Sequence, residues 1–227
     1  MHYKPRPEES VAWVCEMKHC RSPLLRARAI ACLLALALLA AGGCGKQPRL
    51  QPLAPDAVVL AFGDSLTYGT GADERDSYPA QLALLIGRKV ARAGVPGEIS
   101  GDGLARLPEA IEEHQPRLLI LCHGGNDFLR RLSKQQVAAN VRAMIRFARE
   151  RGIDVVLIGT PEPGLGVSTP EFYAEIAKEL RIPYEDSVIG QILRDAALKS
   201  DPIHPNARGY RLIAERLAGL LKKAGAL

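Results

Sequence analysis

The chain has 227 residues, 47% hydrophobic and 24% charged, the proportions of a globular protein rather than of a disordered or fully membrane-embedded one. Its formal charge of +5 shrinks once residues 1–43 are set aside, because they carry six Lys/Arg against three Asp/Glu and leave +2 for the rest. A surplus that small excludes an extended nucleic-acid-binding face.

Residues 1–43 read as a leader. Arg21, Arg26 and Arg28 precede a 15-residue apolar run, Ala29 to Gly43, which is too short for a typical transmembrane helix and fits an export signal. Residues 1–16 contain Glu8, Glu9 and Glu16, and Met17-Lys18 is the more natural start, so the expected signal is 17–43. The run ends in Ala41-Gly42-Gly43-Cys44, which resembles a lipidation box and makes Cys44 the candidate lipid-bearing residue. Gly rather than Asp at position 45 points such an anchor to the outer membrane, with the domain that follows on the periplasmic face. Residues 44–57, punctuated by Pro48, Pro52 and Pro55, then read as a tether reaching on the order of 40 Å when extended. With Cys15, Cys20 and Cys32 in the leader, Cys122 is left as a lone buried cysteine, and no internal disulfide is expected.

Residues 58–227 form one domain in which strand and helix patterns alternate. Ala57 to Phe62 is an apolar run bounded by turn residues, a buried strand. Tyr78 to Ile86 is an amphipathic helix, Lys89 to Ala93 a short strand, Leu104 to His114 a helix and Leu118 to Cys122 a strand. Lys134 to Arg151 is a long helix stopped by Gly152, Ile153 to Ile158 a strand, Pro170 to Leu180 a helix, Ile182 to Tyr184 a short strand, and Asn206 to Lys223 the last helix. Five such strands predict a three-layer αβα fold, a parallel sheet of flavodoxin-like order 2-1-3-4-5 with helices on both faces.

Three motifs carry chemistry. Gly63-Asp64-Ser65-Leu66-Thr67 sets a serine just past the first strand, where α/β sheets place their sites. Asp201-Pro202-Ile203-His204 supplies a histidine with a carboxylate three residues upstream, spaced to fix the imidazole tautomer. Gly124-Gly125-Asn126-Asp127 follows the third strand and offers an amide donor for a developing oxyanion. Each motif alone is explained equally well as a turn or helix entry, but together they fall on one edge of the sheet. Asp64 and Asp127 read as loop-fixing acceptors, and His114, His123 and Cys122 as structural. No His or Cys stands at metal-ligand spacing from another.

These blocks, with a glycine between the first two, resemble those of the GDSL, or SGNH, hydrolases, closest to a bacterial branch of thioesterases, lysophospholipases and arylesterases. The similarity runs from about Val58 to about Leu221. It implies Ser65, Asp201 and His204 as the triad, Ser65, Gly97 and Asn126 as oxyanion donors, and no cofactor. Gly97 follows from counting back from Gly103-Leu104-Ala105-Arg106-Leu107-Pro108, with Gly101 the alternative. Pro96 and Arg92 depart from the usual pattern around that glycine. The implied partner is a small-molecule acyl ester, thioester or lysophospholipid-like substrate. Two other readings remain open here, a carbohydrate O-acetylesterase of the same fold and a non-catalytic tethered binding protein. The first needs an aromatic-lined cleft, and the domain has no tryptophan, Trp13 lying in the leader.

Overall fold

The computed structural model describes residues 48–162 and 166–227. The leader and Cys44 lie outside the described residues. Strand β1 (Val58–Gly63) is followed by a single helical turn, α1 (Ser65–Tyr68), then α2 (Tyr78–Ile86), β2 (Lys89–Gly94) and α3 (Ser100–His114). Next come β3 (Leu118–Cys122), the short α4 (Gly125–Leu129), α5 (Lys134–Arg149) and β4 (Asp154–Ile158). The chain ends with α6 (Phe172–Leu180), β5 (Tyr184–Glu185), α7 (Val188–Arg194) and α8 (Ala207–Ala224).

All strand pairings are parallel and the order is β2-β1-β3-β4-β5, as the alternating pattern predicts. Side chains alternate across β1, so Val59 and Ala61 pack against Tyr78, Leu82, Ile213 and Leu217, while Leu60 and Phe62 pack against Leu107, Val141, Ile145 and Tyr173. Both faces of the sheet are therefore covered, which is why β1 and β3 read as unbroken apolar runs. The register aligns Gly63 with Cys122 and Cys122 with Ile158. Three loops thus leave the sheet side by side, beginning at Asp64, His123 and Gly159.

Helix α3 starts four residues before the periodicity suggests. The Asp127 carboxylate accepts from the Ser100 amide at 2.8 Å and from its hydroxyl at 2.7 Å, capping the helix from another element. Glycines 101 and 103 hide that start from any propensity argument.

The expected tether is corrected over most of its length. Leu50 and Leu53 are buried in the core cluster beside α8, and their amides donate to the carbonyls of Ala224 and Ala226, both at 2.9 Å. The Gln51 amide donates to Asp154 at 2.7 Å. Prolines in this segment favour an extended path and also suit a strap laid on a surface; two leucines finding apolar cover decide for the strap. Only Gly45–Arg49 separate Cys44 from Leu50, so the extended reach expected for 44–57 is not available. Leu53→Ala should lower unfolding free energy by about 2–3 kcal/mol in urea titrations while leaving ester turnover intact. A change within ~0.5 kcal/mol, the usual range for an exposed site, would mean that the segment is free after all.

Candidate active site

Gly63 ends β1 against the Cys122 carbonyl, close enough that a side chain there would collide with it. The chain then turns sharply. The Asp64 side chain accepts from the Leu66 amide at 3.0 Å and starts the one-turn helix whose first residue is Ser65. Buried Thr67 and Tyr78 share a hydrogen bond of 3.0 Å beneath that turn. Ser65 is thereby held at the sheet edge with its hydroxyl directed outward.

His204 approaches from the loop before α8. Its Nε2 lies 3.0 Å from Ser65 Oγ and its Nδ1 2.7 Å from Asp201 Oδ2. The other Asp201 oxygen accepts from the amides of Ile203 and His204, both at 2.8 Å. The loop is closed by the Ser200 amide donating to the His204 carbonyl at 2.9 Å. It is also tied to α8 by Asn206, whose carbonyl oxygen caps the helix while its amide donates to Ala197 and Lys199 carbonyls. Desolvation raises the Asp201 carboxyl, but the hydrogen bonds from His204 and the two amides outweigh it and hold the group below the usual carboxylate range.

Asn126 opens α4 and lines the same cleft. Its Nδ2 donates to the Glu98 carbonyl at 3.0 Å and reaches Asp64 Oδ2 at 3.4 Å. The second contact is weak by length, so one N–H of the amide is held firmly and the other is available to a better acceptor. Asp64 is buried, and desolvation pushes its carboxyl up. Asp64 and Asp127 thus act as loop-fixing acceptors, and Cys122 is a buried free thiol 3.9 Å from Thr160 Oγ1.

Gly97 sits in the exposed loop between β2 and α3 with a φ of 79°, a left-handed conformation that favours glycine. Its carbonyl accepts from Arg130 at 2.9 Å. Gly101 lies inside the first turn of α3. Neither glycine lines the cleft, whereas Ser65, Asn126 and His204 all do. Sequence reasoning missed a buried cluster beside this loop, in which Arg106 and His123 converge on the Glu98 carboxylate. Glu98 follows Gly97 directly, but its partners come from α3 and from the loop that leaves β3, so no local spacing reveals them. Arg92, the unexpected residue on β2, donates to the Tyr68 carbonyl at 2.7 Å, lies 4.7 Å from the Tyr68 ring centre and pairs with Glu74. It braces the end of α1 from the neighbouring strand.

The cleft holds about 360 Å³, and its walls include Leu66, Leu129, Ile189, Leu193, Pro161 and Ile203. Among the described lining residues none is aromatic, and Lys199 is the one permanent cation, its ammonium donating to the Leu193 carbonyl at 2.9 Å. The arrangement can deprotonate a hydroxyl, hold a carbonyl oxygen and receive an aliphatic chain.

A profile of the GDSL-like Lipase/Acylhydrolase family matches residues 61–212. The chain is 29% identical over 172 residues to "Thioesterase 1/protease 1/lysophospholipase L1" of Escherichia coli K12, covering 72% of this chain and 83% of that protein. It is 28% identical over 193 residues to "Esterase TesA" of Pseudomonas aeruginosa, covering 79% of this chain and 95% of that one. A solved structure described as that of TesA superposes with a TM-score of 0.66 at 26% identity, over 74% of this chain and 99% of its own.

Proposed function

The chain belongs to the GDSL-like lipase/acylhydrolase family and is an ester-hydrolysing enzyme, and from that premise we propose that it cleaves aliphatic acyl esters and thioesters through an acyl-enzyme on Ser65. The observation that carries the reading is the unbroken hydrogen-bonded chain Ser65–His204–Asp201, at 3.0 and 2.7 Å.

Asp201 accepts from His204 Nδ1–H, which leaves the Nε2 lone pair facing the serine hydroxyl. Ser65 Oγ attacks the acyl carbonyl as its proton passes to Nε2. The oxygen of the tetrahedral intermediate is held by the backbone amide of Ser65 and the second N–H of Asn126, both on the cleft wall, with the Gly97 amide, in the loop beside the cleft, as the third donor that the family resemblance implies. On collapse, the bond to the leaving alkoxide or thiolate breaks and His204 Nε2 returns the proton to it. Water then attacks the acyl-enzyme with the same histidine as base, and the carboxylic acid departs.

The apolar cleft supports aliphatic acyl groups over sugars. Each further methylene buried is worth ~0.8 kcal/mol, about fourfold in kcat/KM, until the cleft is filled. The p-nitrophenyl series from acetate to octanoate should therefore rise before it levels, and an acyl thioester of the preferred length should be cleaved as well. Turnover confined to acetyl groups, with an acetylated polysaccharide as the best substrate, would favour the carbohydrate O-acetylesterase reading instead.

We further infer that the enzyme is exported and anchored at the periplasmic face of the outer membrane through Cys44. The leader pattern, arginines before an apolar run that ends in Ala41-Gly42-Gly43-Cys44, supports this. Two or more acyl chains on Cys44 give stable anchoring where one gives only marginal binding. Cys44→Ala should move esterase activity from the membrane pellet to the soluble exported fraction at unchanged specific activity. Wild-type enzyme that is already soluble after export would leave a plain cleavable signal.

A further inference from the structure

His123 is the last residue before the Gly124-Gly125-Asn126-Asp127 loop and is completely buried. Its Nε2 lies 3.0 Å from Glu98 Oε2. Because a carboxylate only accepts, Nε2 is the donor, and Nδ1 is left buried without a partner among the described residues. Gly103 leaves room for the ring, since a side chain there would be driven into the imidazole.

The same Glu98 carboxylate takes two bonds from Arg106, both at 2.7 Å. Arg106 also donates to the Ala93 carbonyl at 3.2 Å and lies 4.2 Å from the Phe62 ring centre. Burial would raise the Glu98 carboxyl, but hydrogen bonds from Arg106 and His123 hold it down at about 2. Glu98 is therefore an ion clamped from two sides, and its backbone is clamped with it. That backbone does two things at the site. Its carbonyl holds the Asn126 amide at 3.0 Å, and Gly97 is its immediate neighbour.

A buried nitrogen with no partner costs stability. His123 thus gains one hydrogen bond to an ion that Arg106 already holds twice, offset by the unpartnered nitrogen, so its net contribution to stability is small. We propose that His123 is a positioning residue for oxyanion stabilisation, acting through Glu98 on both the Asn126 amide and the loop that carries Gly97. The inference rests on the proposed role of those two groups as oxyanion donors. His123, between β3 and the short helix α4 that carries Asn126, is tied to the loop after β2, which carries Gly97. Without it, Arg106 still neutralises Glu98, but the Glu98 side chain is no longer tied to the loop after β3, and among the described residues the two loops are joined only by the Asn126, Arg130 and Asp127 contacts.

The experiment compares His123→Leu, His123→Gln, Asn126→Ala and the His123→Leu/Asn126→Ala double variant by kcat and KM on p-nitrophenyl butyrate, with urea unfolding of each. His123→Leu should keep wild-type stability and a KM within about twofold while losing roughly 10- to 100-fold in kcat, the scale of a small misplacement at the reacting centre. His123→Gln, whose amide can donate to Glu98, should recover most of that loss. In the Asn126→Ala background the leucine penalty should shrink, because part of what His123 positions is already gone. Wild-type kcat in folded His123→Leu overturns the inference, and so does a leucine penalty of equal size in both backgrounds. Should the leucine variant fail to fold, Arg106→Lys and His123→Gln decide, and wild-type kcat in Arg106→Lys with no gain of His123→Gln over a folded His123→Ala overturns it. If Asn126→Ala itself leaves kcat unchanged, the oxyanion assignment falls first, a result distinct from any of these.

Discussion

Ser65→Ala should leave a folded protein whose turnover of p-nitrophenyl butyrate has dropped by about 10⁵-fold or more, the scale seen when a nucleophile that acts as a unit with its base is removed. The hydroxyl contributes a single hydrogen bond, to His204 Nε2 at 3.0 Å, so unfolding free energy should move by no more than ~0.5 kcal/mol. The Asp64 cap on α1 and the Thr67–Tyr78 bond beneath it are untouched. Labelling by a fluorophosphonate, which phosphonylates an activated serine with loss of fluoride, should vanish in the same variant. Residual turnover within tenfold of wild type would assign the chemistry to another nucleophile.

Asp201→Asn should cost roughly 10³–10⁴ in kcat, with little change in KM. The geometry gives the reason. One Asp201 oxygen is fixed by the amides of Ile203 and His204, both at 2.8 Å, and the other faces His204 Nδ1 at 2.7 Å. An asparagine must keep its carbonyl on the two backbone donors, so its NH₂ is forced toward Nδ1. That nitrogen then has to accept, the ring proton shifts to Nε2, and Nε2 can no longer take the serine proton. Asp201 is partly exposed, its side chain at 42% relative accessibility, so water relieves some of the mismatch and the loss should fall short of that of Ser65→Ala. A fall of less than tenfold would show that the carboxylate only holds the loop in place.

What could be read in advance follows from how local each cause is. The bounds of β3 match the expectation because the apolar run stops at residues that cannot continue it, and α2 ends on Gly87 in a left-handed conformation. Helices α1, α4 and α7 escaped because four to seven residues are too few to show a 3.6-residue period. The triad candidates were legible because Asp201 and His204 fix each other over three residues, and because serines after a first strand have a known place in such sheets. Nothing in the order of residues brings His123 and Arg106 to Glu98. Those bonds cross from β3 and α3 to a loop, and only the folded sheet makes them neighbours. The choice between the two glycines was equally hidden; the structure puts Gly97 in an open loop beside Glu98 and Gly101 within a helix, neither of them on the cleft wall.

The strap has a consequence for the order in which the fold can close. Leu50 and Leu53 belong to the first described segment, yet their carbonyl partners, Ala224 and Ala226, are among the last four residues of the chain. A chain emerging amino end first from a ribosome or a translocation pore exposes these two leucines early and cannot cover them until α8 and residues 224–226 are free. Local helices can form as they appear, and β1 can gather β2 and β3 around it in turn, but this seam has nearly maximal sequence separation and must wait. The seam therefore reports the arrival of α8: it forms only in molecules in which residues 224–226 can fold back, and a truncated product lacking α8 would carry an unsealed apolar edge for proteases to find.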